Sequence, residues 1–550
     1  MLFQEFRMAQ TNLSDRNRWL LIAAVLTVGL ISFVQSGCGD GSSGTVASSS
    51  AILSVYPVEN TDTALVSTQI IVNFRNEMLS STINENTFTV SSSGVPVDGI
   101  VVAPGITTTT SAVFIPYSDL VSGTDYKATI SSDVVDIDGN HPLSRDYVWS
   151  FTVSGTMALV SRDVNGVVGN NTSGISDIDG NGEYFVFESK ATNLVTNVTT
   201  GGINHIYRKN TLTGEVLLVS SDDSGLVAAN AASSSPRISA DGRYVVFESK
   251  ATNLVPIASS GISQIYLKDL ADGSVDMISR NSTLTAGNGN SFNPDISSNG
   301  RYIVFDSNAT NLGGAGYRHV YLVDTADPDT VELISVNSAE FQGNNNSTDP
   351  SVSDDGQRIA FVSTATNLDT NTNTLSDIFL RERTPVGTTV LISMNSTSTG
   401  SANAPSSNPE ISGDGQSIVF ESPATDIDGG ITGRVDIFLS DTVNPATRIT
   451  VNADNNSANP SISFDGRYIA FESEATNLDT GYFNQTNIFV SDVTTPLVFK
   501  RLSLASDVNS NNARISIDGR YVSFESPYGF TLDDTNTIGD VYRAHNRFIQ

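Results

Sequence analysis

One stretch of this chain returns seven times, and that repetition restricts the fold more than any other feature. The stretch is PSISFDGRYIAFESEATNL at 460–478, and it recurs with drift. Its phenylalanine has counterparts at intervals of 51 to 60 residues, and a glycine lies five residues before each of them. A fixed period of this size is typical of repeat architectures, in which one supersecondary unit is stacked many times. The phenylalanines are Phe187, Phe247, Phe305, Phe361, Phe420, Phe471 and Phe524.

Each repeat contains four strand-like pieces, which we call A to D. In the sixth repeat they are Pro460–Ser463, Arg467–Ser473, Asn487–Ser491 and Lys500–Leu504. An Asp-Gly pair between A and B supplies a tight turn, since both residues tolerate positive φ. Strand B is apolar on both faces, which predicts a sheet that is covered on both faces. Four-stranded sheets stacked face to face around an axis meet that requirement, so the pattern predicts a β-propeller.

The last repeat lacks its fourth strand. It has A at Ala513–Ser516, B at Arg520–Ser526 and C at Asp540–Ala544, and no apolar pattern follows. Met157–Arg162 (MALVSR), which precedes the first repeat, matches the strand D sequence DMISR at 276–280. We therefore predict that this N-terminal strand completes the last blade of a seven-bladed propeller over 156–550. Antiparallel connectivity places the long, polar B–C and D–A loops on one rim, where binding normally occurs.

The repeats also carry a family resemblance. PSISFDGRYIAFESEATNL with the following strand NIFV resembles the TolB-type, WD40-like propeller repeats of bacterial envelope proteins. The resemblance spans all seven repeats and implies the propeller fold. It implies little about function, because members of this family include partner-binding scaffolds as well as enzymes.

A second domain is predicted over 53–155. Its strand-like pieces, such as Tyr147–Ser154 (YVWSFTVS), alternate apolar and polar residues, and about seven of them suggest a β-sandwich. The series YPVENTDTALVSTQIIVNFRNEM, FIPYSDLVSGTDYKATIS and DIDGNHPLSRDYVWSFTV resembles the bacterial Ig-like domain of the surface-layer (SbsA) type. Modules of that type are usually spacers. Asp136–Asn140 (DIDGN) fits a Ca²⁺ loop or an Asp-Gly turn, and we favour the turn.

The N-terminal segment carries an export pattern. Two arginines precede the apolar run Trp19–Val34, and Gln35, Ser36, Gly37 and Cys38 follow it. The sole cysteine at this point, followed by GDGSSGTVASSS, resembles the bacterial lipoprotein signal, although Gln35 stands where that family prefers an aliphatic residue. The resemblance implies a signal peptide at 1–37, lipid attachment at Cys38 and a flexible tether at 38–52. The alternatives are an ordinary signal peptide or an uncleaved anchor.

The charge balance excludes one class of partner. Lys and Arg number 29 against 59 Asp and Glu, a net charge of −30. Such an acidic body repels phosphate backbones, so we expect no nucleic-acid partner. The acidity attracts cations, but it also keeps an exported protein soluble, and we favour the second explanation. We expect a monomer.

Two acidic patterns raise the question of calcium. The segment DIDGNGEYFVFE at 177–188 matches the EF-hand loop letter for letter. It overlaps the regular A–B turn and strand B, however, whereas an EF-hand needs a helix on each side. The B–C loops at Asp369–Asp377 and Asp426–Asp428 are better candidates. Calcium therefore stays open as a ligand of the loops, and we predict no other cofactor.

No catalytic residue is predicted. The Glu of FES and the Arg of DGR recur in most repeats, which indicates contacts between repeats. His205 and His319 stand at matching strand C starts, where other repeats have Gln, Asp or Asn, so we interpret them as a polar edge position. Neither a nucleophile elbow nor a zinc spacing is present. A propeller glycosidase or lyase would need unique carboxylates and His in the central channel, and the repeats indicate none.

These observations lead to one preferred function and two alternatives. We expect a lipid-anchored, non-enzymatic binding or scaffold protein of the bacterial envelope, located in the periplasm or on the cell surface. Its partner would be an envelope protein on the long-loop rim. The first alternative is a carbohydrate or cell-wall polysaccharide, with or without Ca²⁺, and the second is a glycosidase or lyase.

Overall fold

The structure is a computed structural model, which describes residues 51–57, 70–105, 107–116, 120–121, 124–153, 157–196, 198–211, 213–369, 373–384, 387–430, 433–442, 444–479, 485–503, 508–530, 534, 536, 538–546 and 548. Backbone contacts divide the chain into two compact units, Met1–Ala158 and Leu159–Gln550. Within the described residues, no helix has the length and apolar character needed to cross a membrane.

The first unit contains two four-stranded antiparallel sheets, ordered β1-β2-β6-β5 and β4-β3-β7-β8. The alternation of apolar and polar residues along these strands predicts one buried and one exposed face per strand. In β8 the apolar residues Trp149, Phe151 and Val153 are buried, as predicted. A single 3₁₀ turn, Ser80–Thr82, follows β2. The strands are β1 Ile52–Tyr56, β2 Ile70–Leu79, β3 Phe88–Ser92, β4 Val95–Pro96, β5 Gly99–Val102, β6 Thr108–Pro116, β7 Thr124–Ile130 and β8 Tyr147–Val153.

The DIDGN segment of this unit is a turn. The Asp136 carboxylate accepts hydrogen bonds from the backbone N–H groups of Asp138 and Asn140, at 3.0 and 2.8 Å. Gly139 takes a φ of +82°, which glycine adopts without steric cost. The carboxylate thus holds its own loop.

Strands β9 to β36 form seven four-stranded sheets within the described residues. Sheets 1 to 6 each use four consecutive strands, and sheet 7 is ordered β34-β35-β36-β9. Sheet 1 is β10–β13 (Ser173–Ile178, Tyr184–Ser189, His205–Asn210, Val216–Leu218) and sheet 2 is β14–β17 (Ser233–Ile238, Tyr244–Ser249, Gln264–Asp269, Val275–Met277). Sheet 3 is β18–β21 (Ser291–Ile296, Tyr302–Ser307, His319–Asp324, Val331–Leu333) and sheet 4 is β22–β25 (Ser347–Val352, Arg358–Ser363, Asp377–Glu382, Thr388–Leu391). Sheet 5 is β26–β29 (Ser407–Ile411, Ile418–Ser422, Asp436–Ser440, Thr447–Arg448) and sheet 6 is β30–β33 (Ser457–Ile462, Tyr468–Ser473, Asn487–Asp492, Phe499–Arg501). Sheet 7 is β34–β36 (Asn511–Ile515, Tyr521–Ser526, Asp540–His545) with β9 (Met157–Leu159).

The repeated Asp-Gly turn has two structural causes. Gly242 has a φ of +70°, and its turn is held by the Asp241 carboxylate, which accepts the Arg243 N–H at 3.0 Å. A Cβ on Gly242 would also clash with the ring of Tyr184 in the preceding sheet. Glycine is therefore required both by the backbone and by the close approach of the preceding sheet.

Neighbouring sheets share their cores. One cluster of buried side chains includes Val362 of sheet 4 and Phe420 of sheet 5, and another includes Val186 of sheet 1 and Phe247 of sheet 2. The repeat phenylalanine of strand B stacks on an aromatic ring of strand C, with ring centroids 5.9 Å apart for Phe187 and Tyr207. Strand B is apolar on both faces because both faces of each sheet are covered.

Sheet 7 contacts sheet 1 as other sheets contact their neighbours. Gly180 N donates to Ala240 O at 3.1 Å between sheets 1 and 2, and Asp518 N donates to Gly180 O at 3.1 Å between sheets 7 and 1. At the other end of β10, Ser173 N donates to Gly539 O at 2.8 Å. The strand before the first repeat thus lies in the last sheet, and that sheet packs against the first.

The innermost strand differs from its predicted bounds. In the sixth repeat it begins at Ser457 and ends at Ile462, whereas the prediction ran from Pro460 to Ser463. The register slips between Ala458 and Ser461, and Asn459 in this bulge has a φ of +50°. The Asn-Pro pair marks a bulge inside the strand and not the start of the strand.

Candidate binding site in the axial channel

The innermost strands of all seven sheets line one cavity of about 320 Å³. Each strand contributes the same four register positions, because all seven run in the same direction past the bulge. The first position carries the positive φ, and the third projects a side chain into the cavity. We call these the mouth ring and the charge ring. The mouth ring is Ile175, Ser235, Asn293, Asp349, Asn408, Asn459 and Asn512; the charge ring is Asp177, Arg237, Asp295, Ser351, Glu410, Ser461 and Arg514.

The mouth ring is tied together by the recurring glutamate of FES. Ser235 N donates to Glu188 Oε1 at 2.7 Å, and Asn512 N donates to Glu472 Oε1 at 2.7 Å. The equivalent glutamate of sheet 7, Glu525, joins the last repeat to the first, since Ile175 N donates to Glu525 Oε2 at 3.2 Å. The predicted role of this glutamate as a contact between repeats agrees with these bonds.

The charge ring also links each sheet to the next. Asp177 accepts the N–H of Ile238 at 3.0 Å, and Asp295 accepts that of Val352 at 3.0 Å. The serine hydroxyls do the same, as Ser351 accepts the N–H of Ile411 at 3.2 Å. Arginine has no acceptor atom, so Arg237 and Arg514 cannot take part in this pattern.

The two arginines are placed differently. Arg514 is hydrogen bonded to Glu410. Arg237 lies between Asp177 and Asp295 at N···O distances of 4.0 and 3.8 Å, which are too long for hydrogen bonds. Within the described residues, no protein atom accepts a hydrogen bond from the Arg237 guanidinium. Its side chain is 24% exposed, so the guanidinium faces the cavity with its donors available.

The cavity changes the acidity of its carboxyl groups. Burial raises the pKa of Asp177 above its usual range, although the neighbouring Arg237 and Arg514 oppose the shift. Burial likewise raises the pKa of Asp295, again against the field of Arg237. A low-dielectric, partly closed site strengthens every charge and hydrogen bond placed in it.

Sequence reasoning did not find the charge ring. It indicated no cluster of unique carboxylates and His in the channel, and so it overlooked Asp177, Asp295 and Glu410, which line the cavity. The missed signal is the variable third position of strand A, before the recurring Ile or Val. Histidine is not among the described residues that line the cavity.

The predicted calcium candidates are dispersed. In the 177–188 segment, Asp177 faces the channel while Glu188 binds the next sheet. Asp369 accepts the N–H of Leu391, and residues 370–372 of that loop lie outside the described part. Asp426 accepts the N–H of Asn403 at 2.9 Å. Among the described residues, no group of three or more His, Cys, Asp or Glu side chains is placed to hold a metal ion.

The strand C starts are buried and not at an edge, which corrects the sequence interpretation. The His205 Nδ1 lies 3.0 Å from Ser220 Oγ, and Ser220 accepts the N–H of Ile206. In sheet 7 the serine comes from the segment after β9: Ser161 donates to Asp540 at 2.6 Å and accepts the N–H of Val541 at 3.0 Å. Burial lowers the pKa of His205 and raises that of Asp540 to about 7.

The D–A segments are fixed at one end by the ATN motif. Asn170 N donates to Asn193 Oδ1 at 2.9 Å, Thr192 N donates to Asn170 Oδ1 at 2.8 Å, and Asn193 Nδ2 donates to Val168 O. At the other end the segments reach the outermost strand of the next sheet, where Val275 N donates to Asp223 Oδ1 at 2.7 Å. Many polar side chains of these loops therefore hold the loop backbone in place and are not available for a ligand.

Four successive D–A segments expose apolar side chains at their turns. Phe341 is 68% exposed, Leu226 62% and Leu284 53%. We call the turn residues the D–A tips; their exposed apolar members are Val164, Val167, Leu226, Val227, Leu284 and Phe341. The fifth segment carries the polar sequence Thr397–Thr399 at this place. Cys38, the predicted lipid-attachment residue, lies outside the described residues.

Comparison with known proteins agrees with the domain composition. Residues 47–153 match the family model of the bacterial Ig-like domain. No curated relative matches the chain. The chain is similar to the β-propeller domain of the Trilobed protease from Pyrococcus furiosus (12% identity, TM-score 0.44, 68% of this chain and 95% of that one). It is also similar to TolB from Acinetobacter baumannii (12%, 0.34, 78% and 77%) and to oligogalacturonate lyase from Vibrio parahaemolyticus (12%, 0.44, 70% and 90%). At these identities and scores, no activity or ligand is carried over to this chain.

Proposed function

We propose that this chain is an exported, lipid-anchored, non-enzymatic binding protein of the bacterial envelope that holds a protein partner. In this proposal 1–37 is the signal peptide, Cys38 carries the lipid and 38–52 is the tether. The Ig-like domain at 53–155 is a spacer, and 156–550 is the binding body. The exposed apolar D–A tips are the observation that carries the proposal of a protein partner.

We further propose that the seven sheets are the blades of a closed ring. The hydrogen bond from Asp518 N to Gly180 O supports this, because it repeats between sheets 7 and 1 the bond that Asp414 N makes to Phe464 O at 3.1 Å between sheets 5 and 6. The position of β9 in sheet 7 supports closure by the N-terminal strand. A ring of this kind is rigid and presents its outer segments at fixed spacing, which suits a scaffold.

The chemistry of the D–A tips favours a protein over a polysaccharide. Exposed apolar side chains scattered singly are ordinary, but here they occupy equivalent turns on four successive segments. Burying aromatic and aliphatic side chains at the centre of an interface supplies much of the energy of protein association. Phe341 and Leu226 are the expected anchors, because they are the most exposed of the set.

The test replaces the tips with the polar residue type that the fifth segment already carries. Full-length protein with Leu226→Ser, Leu284→Ser and Phe341→Ser is compared with wild type in capture of solubilised envelope from the bacterium that encodes it. We expect a stoichiometric protein to bind wild type and to be lost from the triple variant. The matched control is Leu497→Ser, since Leu497 is 58% exposed but lies between β32 and β33.

Two results would overturn the proposal. Capture that survives in the triple variant would remove the D–A tips as the docking surface. If the protein captures glycan but no stoichiometric protein, the partner would be the cell-wall polysaccharide of the alternative hypothesis. Chelator is included in a parallel arm, because chelator-sensitive capture would assign the partner to the acidic loops.

A further inference from the structure

We propose that the axial cavity binds a small neutral polyhydroxylated molecule, a sugar or polyol of about monosaccharide size, with Arg237, Asp177 and Asp295 as its polar contacts. The site is separate from the D–A tips, so this inference does not rest on the proposed protein partner.

The size and walls of the cavity fit such a ligand. Its volume of about 320 Å³ is at the lower end of the usual range for small-molecule pockets. Between the mouth ring and the charge ring, five of the seven strands carry proline, which is buried, lines the cavity and has no N–H donor. The apolar atoms that these prolines add to the cavity wall suit the C–H surfaces of a sugar ring. The prolines are Pro236, Pro294, Pro350, Pro409 and Pro460.

The charge ring selects for hydroxyl groups. Arg237 has up to five N–H donors and no hydrogen-bond acceptor among the described residues, so it requires a ligand or water that accepts. Asp177 and Asp295 flank it at 4.0 and 3.8 Å and still have lone pairs, since each carboxylate accepts one backbone N–H. A hydroxyl group can accept from the guanidinium and donate to a carboxylate at the same time.

Charged ligands fit less well. An anion that paired with Arg237 would lie beside two carboxylates, and a cation that paired with either carboxylate would lie beside Arg237. The cluster of Asp177, Asp295 and Glu410 with Arg237 and Arg514 is close to neutral as a whole.

The side chains of the mouth ring are uncharged except for that of Asp349, although acidic side chains of strand B, such as Glu188 and Glu472, accept the backbone N–H groups of this ring. Four members of the mouth ring are asparagines, and two of them bond to each other, as Asn408 Nδ2 donates to Asn459 Oδ1 at 2.9 Å. Because these amides already have partners, the available hydrogen-bonding groups are those deeper in the cavity. Ligand hydroxyls would replace the waters that otherwise solvate Arg237, which costs little where the hydrogen bonds are reproduced.

The experiment measures binding to the full-length protein in detergent by saturation-transfer NMR and calorimetry. The probes are glucose, galactose, N-acetylglucosamine and myo-inositol as neutral ligands, with galacturonate and inorganic phosphate as anions. We expect at least one neutral probe to bind. We expect Arg237→Met and Asp295→Asn each to weaken it about tenfold or more, the loss typical of hydrogen bonds to charged groups.

The matched control is Arg243→Met, which removes an arginine of the same repeat that pairs with Asp269 outside the channel. It should leave binding unchanged. Thermal melting checks that each variant is folded. If Arg237→Met does not fold, Asp295→Asn still tests the site, because asparagine has nearly the same shape as aspartate. Absence of binding by every neutral probe, a preference for the anions, or binding unaffected by both channel variants would overturn the inference. Turnover of a bound sugar would overturn its assignment as a binding site only.

The two proposals fail separately. Replacing the D–A tips with serine should leave sugar binding intact, and Arg237→Met should leave protein capture intact. Loss of both functions in either variant would indicate misfolding, which the melting control detects.

Discussion

Removal of the Ser161 hydroxyl is the most direct test of how sheet 7 is held together. Ser161→Ala removes a buried group that donates to Asp540 at 2.6 Å and accepts the N–H of Val541 at 3.0 Å. Both partners belong to β36, near the other end of the chain. The variant leaves the shape of the chain otherwise unchanged.

The magnitude follows from these two bonds. Each contributes about 1 kcal/mol, and a buried N–H left without a partner costs about 1–3 kcal/mol. We therefore expect a loss of about 2–4 kcal/mol in the free energy that holds β9 and its following segment against β36. In hydrogen exchange this corresponds to a protection factor that is lower by about 30- to 700-fold.

The matched variant is Ser220→Ala in sheet 1. Ser220 makes the same pair of contacts, with His205 and the N–H of Ile206. There, a short turn connects β12 directly to β13, so β13 cannot leave the sheet independently. In sheet 7, β9 has no such connection to β36. Hydrogen exchange followed by mass spectrometry should show lost protection over β9 and β36 for Ser161→Ala, with only a local change for Ser220→Ala.

Two outcomes would refute this reasoning. Equal and local loss of protection in both variants would mean that β9 is no easier to open than any other outer strand. No loss at all over β9 in Ser161→Ala would mean that the hydroxyl does not hold the sheet. Urea unfolding of both variants gives the control on total stability, which we expect to fall by similar amounts.

Three further predictions can be tested on single variants. Because burial raises the pKa of Asp540 to about 7 from an ordinary value near 3.8, the folded state favours the protonated form, and stability should fall as pH rises from about 4 to 7. Asp540→Asn, the residue type that Asn487 provides in sheet 6, should flatten part of that slope in urea unfolding at several pH values; an unchanged slope would contradict the assignment. Ile175 has a φ of +30° at a position where five of the other six sheets have Asn or Asp and sheet 2 has Ser. Ile175→Asn should therefore raise stability by about 1 kcal/mol, and a lower melting temperature would argue against strain there. Cys38→Ala should abolish incorporation of labelled fatty acid and release the protein from membranes, whereas labelling that persists would place any lipid elsewhere.

The repeat made the sheets predictable. The spacing of Phe471 and its counterparts, the Asp-Gly turn and the doubly apolar strand B all express local rules that every sheet obeys. The strand before the first repeat was also recognisable, because its sequence resembles the other outer strands. Alternation of apolar residues in the sandwich domain, such as Trp149 and Phe151, fixed which face is buried.

The candidate site was harder to predict, because it depends on residues that differ from one repeat to the next. Comparison of repeats emphasises what they share, whereas Arg237 and Asp295 stand at a position of strand A where the repeats differ. Strand C raised a different difficulty. A polar residue such as His205 at a strand end suggests exposure, and only the tertiary partner Ser220 explains its complete burial. The direction of a side chain in a bulged strand also depends on where the register slips, and the amino-acid sequence alone does not reveal that position.

The charge ring has a consequence for how such a protein can diversify. Ser351 accepts a backbone N–H of the following sheet just as Asp177 and Asp295 do, so acid and hydroxyl are interchangeable in that structural role. Arginine is also accommodated, as sheets 2 and 7 show. The third position of strand A can therefore change between acid and hydroxyl without loss of the hydrogen bond to the next sheet, whereas a change at Arg237 or Arg514 also alters the carboxylates beside it. Under the proposed binding role, single substitutions in the charge ring would change which ligands the cavity accepts while the sheets stay folded.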